Sequence, residues 1–226
     1  MQDTEMNLTP DQTLSHLSVT RAGASRVFQR HGLDFCCHGQ ISLREACAKE
    51  SLDAEALIAE ILAEERAAES FERWDEQPPG ALIEHLLTRF HEPHRAELPR
   101  LHAMARKVEE VHGEKATCPR GLAAHLGKME EELELHMQKE EEVLFPLILS
   151  GRGRMASMPV HVMEQEHRDH GQNLVRLREL AHDFAAPAEA CGTWRALYLG
   201  LVELESELMQ HIHLENNILF PRALRS

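Results

Sequence analysis

The stretch HMQKEEEVLFP at 136–146 returns as HIHLENNILFP at 211–221. Both copies read H-φ-x-x-E-x-x-[VI]-L-F-P, with φ apolar. On an α-helix, residues i and i+4 stand one turn apart on the same face, so each copy sets an imidazole beside a carboxylate. His136 and Glu140 fall in the register of an apolar stripe made by Leu126, Met129, Leu133, Val143 and Leu147. His211 and Glu215 continue the stripe Leu197, Leu201, Leu204, Leu208 and Ile218. Both pairs are therefore expected to face a core. A buried carboxylate without a partner costs several kcal/mol and tends to protonate, and bound metal ions remove that conflict. A single HxxxE is a common solvated pattern; two copies in core register, both closing on Leu-Phe-Pro, are not.

Two further segments carry paired histidines. His91-Glu-Pro-His94 precedes His136 by 45 residues counted from His91, and His167-Arg-Asp-His170 precedes His211 by 44 counted from His167. The pattern reads as a duplicated helical hairpin, a His helix followed by an HxxxE helix. His167 joins the stripe Val160, Met163, Leu174, Leu177 and Ala181. His91 and His94 both lie near the stripe Leu87, Leu98, Leu101, Ala105 and Val108, with His94 slightly the more central. Spacing alone does not choose between the first and second histidine of either pair. Imidazole with carboxylate is the donor set of non-haem iron or manganese and less often zinc. Four imidazoles and two carboxylates can serve two metals and leave positions open for a small ligand.

Around these motifs the chain reads as all-α, since strand signals are almost absent and apolar positions recur at three and four. Short helices are expected near 10–17, 20–30, 42–49 and 53–69, with Ser42–Glu45 as a capping box and Asp53 as an N-cap. Four longer ones follow near 80–112, 119–148, 158–183 and 190–220, joined by short links, as in an antiparallel four-helix bundle. Pro93 and Pro99 should disturb the first of these. The Asp75–Gly80 stretch breaks the pattern, which places a small helical N-terminal domain at 1–75 and the bundle at 78–226. A net charge of −14 excludes a nucleic-acid partner. No apolar run reaches membrane-spanning length, the N-terminus lacks a signal peptide, and five cysteines, one adjacent pair and three scattered, fit a reducing compartment, so a cytoplasmic protein is expected.

The sequence resembles the ScdA/YtfE-type iron–sulfur cluster repair proteins, the "repair of iron centres" family, whose C-terminal part is hemerythrin-like. The resemblance rests on Asp34-Phe35-Cys36-Cys37, Arg89-Phe90-His91-x-x-His94-Arg95, the two HxxxE…LFP motifs, Met163-Glu164-x-Glu166-His167 and Glu189-Ala190-Cys191-x-Thr193-Trp194. It implies metal ligands at His91, His136, Glu140, His167, His211 and Glu215, holding two iron ions with an oxo or hydroxo bridge. His94 and Glu164 are then candidates for the layer behind the ligands. The resemblance further implies repair of iron–sulfur proteins damaged by nitric oxide or oxidants, through nitric oxide binding or reduction, iron supply, or both. Damaged iron–sulfur proteins would be the partners, nitric oxide or oxygen the small ligand, and a homodimer is compatible with this reading. An oxygen or nitric oxide carrier or sensor of hemerythrin type is the alternative.

Cys36 and Cys37 are expected on a polar turn near His31 and His38, available to iron or nitric oxide, with neighbouring histidines or a helix N-terminus favouring the thiolate. Cys47, Cys118 and Cys191 are expected to be structural. The acidic run Glu130, Glu131, Glu132 and Glu134 reads as a solvated face. His16, His102, His112, His125, His161, His182 and His213 read as exposed.

Overall fold

The computed structural model describes residues 8–68 and 71–225, and among these it consists of helices joined by loops, with no strand and one isolated bridge between Thr13 and Ser42. Position 69, the expected end of the fourth helix, lies outside the described residues. The chain divides into two compact units: 1–77 together with 212–219, and 78–211 together with 220–226.

The first unit holds α1 (Leu14–Thr20), α2 (Ala24–Arg30), α3 (Leu43–Lys49) and α4 (Ala54–Ala67). Helix α1 begins later than its apolar pattern suggests because Thr13 caps it, its hydroxyl accepting from the His16 N–H at 3.2 Å. The Ser42–Glu45 capping box and the Asp53 cap form as expected. Leu17, Val27, Phe28, Phe35, Leu43 and Ile61 fill a small core. Arg26 and Arg30 on α2 pair with Glu60 and Glu64 on α4. Gly39 is required for closure, since a Cβ there would stand 2.4 Å from the Phe35 carbonyl oxygen.

The second unit is built from four rods. The first runs through α5 (Pro79–Leu86), a π turn at Leu87–His91 and α6 (Glu92–His112). The second runs through α7 (Leu122–Lys139), a π turn at Glu140–Leu144 and α8 (Phe145–Leu149). The third is α9 (Ser157–Leu180). The fourth runs through α10 (Gly192–Leu214), a π turn at Glu215–Leu219 and α11 (Phe220–Ala223), with its 212–219 stretch counted in the first unit. Helix α6 packs on α7 and α7 on α9, while Arg178 of α9 donates to both oxygens of the buried Glu205 of α10. Gly200 lets α10 approach α6 closely, because a Cβ there would lie 2.6 Å from Leu101 Cδ2.

The three π turns explain where the helical wheel fails. A π turn bonds i to i+5 and inserts one residue, so the face that follows rotates by about one position, roughly 100°. Val143, expected in the core stripe, is exposed and Leu147 is half-buried, while Leu144, Phe145 and Ile148 point inward. Leu87 is likewise half-buried, and Leu86 and Phe90 take the core. Each π turn is followed at its second residue by a proline: Pro93, Pro146 and Pro221. Proline has no N–H and its ring clashes with the carbonyl four residues back, so a widened turn just before it removes both problems. Pro93 therefore sits within a continuous rod, and Pro99 is held inside α6.

Candidate metal centre

All six sequence-singled donors are buried to within 1% exposure, and three of them, His91, Glu140 and Glu215, stand at the end or start of a π turn. Donor atoms of His91, Glu140, His211 and Glu215 lie within 4.8 Å of one another, as do those of His136, Glu140, His167 and Glu215. The two carboxylates belong to both groups. Glu140 divides its oxygens between the halves, Oε2 lying 3.4 Å from His91 Nε2 and Oε1 3.4 Å from His136 Nε2. The Nε2 atoms of His91 and His211 face each other at 3.2 Å, and those of His167 and His136 at 3.1 Å. Four imidazoles aiming nitrogens inward around two buried carboxylates suit cations better than they suit each other.

The ring orientations are set from behind. Nδ1 of His91 bonds Glu141 Oε1 at 2.7 Å, and Nδ1 of His136 bonds Glu166 Oε2 at 2.9 Å. A carboxylate on Nδ1 keeps the proton there and turns the Nε2 lone pair toward the centre, which is the tautomer a metal needs. Phenylalanine rings stack on His211 and His167: Phe90 lies 5.5 Å from His211 at 9°, and Phe220 lies 5.7 Å from His167 at 4°. Each half thus has one carboxylate-anchored and one phenylalanine-stacked imidazole. The His136 hydrogen bond, with Lys139 adding to it, outweighs burial and holds the Glu166 carboxyl down to about 2. Burial works against ionisation of Glu141, but Arg95 and His91 hold its carboxyl below the usual range.

The second histidine of each HxxH pair does not enter the donor groups. His94 and His170 are nevertheless buried, His94 with its ring 5.5 Å from His211 and His170 with its ring 4.9 Å from His136. Burial and the neighbouring imidazoles push His170 far below the ordinary range. Glu164 is half-buried, and the carboxylate of α9 that meets a donor ring is Glu166. Sequence reading missed Glu141 and Glu166 because their partners are 50 and 30 residues away. The acidic run is partly exposed, as expected, and is also tied to neighbouring rods: Glu134 binds Arg95, Glu130 binds His102 and Glu132 accepts from Asn173.

In the first unit Asp34, Cys36 and Cys37 form a third group of convergent donors. Asp34 Oδ1 accepts from the Cys37 N–H at 2.9 Å and the Cys36 thiol at 3.3 Å, and Cys36 Sγ lies 3.7 Å from Cys37 Sγ. Both nearby histidines are engaged by carboxylates, His38 pairing with Asp34 at 2.6 Å and His31 with Glu60 at 3.0 Å. The hydrogen bond to Cys37, burial and the Asp34 charge push the Cys36 thiol well above the ordinary range. Cys37 is the more exposed sulfur. Asn216 and Asn217 donate to the Cys36 and Phe35 carbonyls at 3.0 and 3.2 Å. His213, expected at the surface, is buried against Phe35 and accepts from Asn217. Cys47 and Cys118 are buried, whereas Cys191 is exposed, 3.3 Å from His112 Nε2.

Residues 82–223 match the hemerythrin HHE cation binding domain, and the chain belongs to that family. Residues 10–65 match a second family, described as a domain of unknown function (DUF542) and corresponding to the ScdA N-terminal region. Over 215 residues, 95% of this chain and 97% of each relative, the sequence is 50% identical to the iron–sulfur cluster repair protein YtfE of Yersinia pseudotuberculosis serotype IB (strain PB1/+) and of Yersinia pestis (strain Pestoides F). No helix among the described residues is long and apolar enough to cross a membrane.

Proposed function

We propose that this chain repairs iron–sulfur clusters damaged by nitrosative or oxidative stress, using two iron ions held by His91, His136, Glu140, His167, His211 and Glu215. The observation that carries the reading is the donor geometry, in which Glu140 offers one oxygen to each half of a buried four-imidazole, two-carboxylate centre. Relatives named for cluster repair at 50% identity support it. Bound iron with open positions would supply nitric oxide or oxygen binding, nitric oxide reduction, and a store of iron for a client cluster. The chain's own part is to bind and to exclude: Glu141 and Glu166 hold two rings in the metal-binding tautomer, and Phe90 and Phe220 hold the other two. Full burial keeps water from competing for the site.

The carrier or sensor reading leaves the Asp34-Cys36-Cys37 group without a use. In the repair reading that loop is the exchange point, passing iron or nitric oxide between the protein and a damaged iron–sulfur protein in the cytoplasm. Residues 1–75 and 78–226 act in this scheme as two domains, exchange and iron chemistry. Iron analysis of the full chain should give two ions per chain. The double variant C36S/C37S should keep that iron and its helicity but restore a nitric oxide-damaged iron–sulfur enzyme much more slowly. Unchanged restoration would remove the exchange role, and an iron-free wild-type protein would remove the whole reading.

A further inference from the structure

The two halves of the centre are anchored by similar parts connected differently. On one side Glu141 uses a single oxygen, Oε1, to accept both from His91 Nδ1 at 2.7 Å and from Arg95 Nη1 at 2.8 Å. On the other side Glu166 uses Oε2 for His136 Nδ1 at 2.9 Å and Oε1 for Lys139 Nζ at 2.5 Å. The remaining face of the Arg95 guanidinium is clamped by Glu134, through Nε at 2.8 Å and Nη2 at 3.3 Å, which fixes Nη1 on Glu141. Arg95 and Glu141 also line a surface cleft of about 370 Å³ with Ile83, Leu87, Glu92 and Phe145, so this anchor can be reached from outside.

A carboxylate that accepts strongly from Nδ1–H gives the imidazole anionic character and makes Nε2 a stronger donor to a metal. Each carboxylate oxygen has two lone pairs, so both donors fit on Oε1, but they draw on the charge of the same oxygen, whereas donors on separate oxygens draw on different ones. Glu134 partly offsets the Arg95 charge, but it stands on the far side of the guanidinium from His91 and its side chain is 38% exposed, so solvent screens it. We infer that the two metal positions are inequivalent, with Arg95 acting as a positioning residue that weakens His91 through Glu141. The position served by His91 and His211 is then reduced first, and it releases its ferrous ion before the position served by His136 and His167. This rests on the di-iron reading above.

The electron comes from an external one-electron donor. One ferric ion becomes ferrous, while the protons on His91 Nδ1 and Arg95 stay in place. Arg95 and Glu141 touch each other yet are predicted to act in opposite directions, which a merely structural role would not produce. Removing the carboxylate in E141Q weakens His91, so the first one-electron step should become easier and iron release to a ferrous chelator about tenfold faster. Removing the competitor in R95Q strengthens Glu141 as an acceptor and should make that step harder by up to about tenfold in the oxidised-to-reduced ratio, about 59 mV for a one-electron couple. R95K, which keeps a cation, should lie between R95Q and wild type. E166Q should move the second step and leave the first.

The measurement is a mediated redox titration of the iron-loaded full chain, read by electron paramagnetic resonance at the half-reduced stage, with iron counted in every sample. Opposite shifts from E141Q and R95Q confined to the first step support the inference. Shifts of the same sign, or equal movement of both steps, overturn it while leaving a two-iron count intact. A count other than two in wild type overturns the di-iron reading instead. If R95Q does not fold, R95K, which keeps the cation but loses the planar fork that Glu134 clamps, should give a smaller shift in the R95Q direction, and a shift the other way overturns the inference.

Discussion

The metal centre and the thiol loop use the same class of side chains under opposite constraints. The six donors of the centre stand on helical rods or at π turns within them, all buried, with each imidazole held from behind by a carboxylate or a phenylalanine ring. Asp34, Cys36 and Cys37 stand on a loop between α2 and α3, fixed by one carboxylate and two asparagine side chains, with Cys37 partly open to solvent. Rigid elements hold donors more precisely than loops do. In the proposed function the centre would retain iron and the loop would exchange it.

The sharpest way to break this comparison is to remove a carboxylate shared by both halves. E140A or E215A should empty about half or more of the bound iron, because each carboxylate serves both donor groups, whereas E131A on an exposed position should leave the iron in place. Equal losses from all three would mean that the inward face has been misassigned. Metal removal tests retention from the other side. A ligand present at a thousand times its Kd stabilises by about 4.1 kcal/mol, so stripping the iron should lower Tm by roughly 8–16 °C in a chain of this size. Calorimetry on the loaded and stripped forms measures this difference.

A smaller effect is expected at the turns. P146A removes the ring that favours the π turn over an α turn, so iron affinity should fall about tenfold while circular dichroism stays unchanged. Unaltered affinity in chelator competition would separate the turn from the centre. The smallest effect concerns the loop and acid. Burial opposes the Asp34 charge, but the N–H of Cys37, the His38 ring and the Cys36 thiol outweigh it and hold the carboxyl below its usual 3.8. A depressed folded-state pKa gives a contribution present above the unfolded value and lost as pH falls through the folded one. Wild type should therefore lose more stability than D34N between about pH 4 and lower values, as read from urea midpoints across that range. Parallel curves would show that Asp34 does not hold the loop.

The sequence by itself determined the all-α fold, the duplicated hairpin and the inward pairs His136–Glu140 and His211–Glu215, because helical spacing puts i and i+4 on one face whatever the surroundings. The four-imidazole count was also legible from the two HxxH segments, and the resemblance pointed to His91 and His167. Tertiary structure alone decided the rest. It put His91 and His167 among the converging donors and left His94 and His170 packed behind them. It turned Val143 out and Leu144 in, because a π turn shifts a register that a wheel assumes constant. It buried His213 and joined Glu141 and Glu166 to rings on other rods. Contacts across 30 to 50 residues depend on which rods pack together and at what height, and no local period in a single chain encodes that.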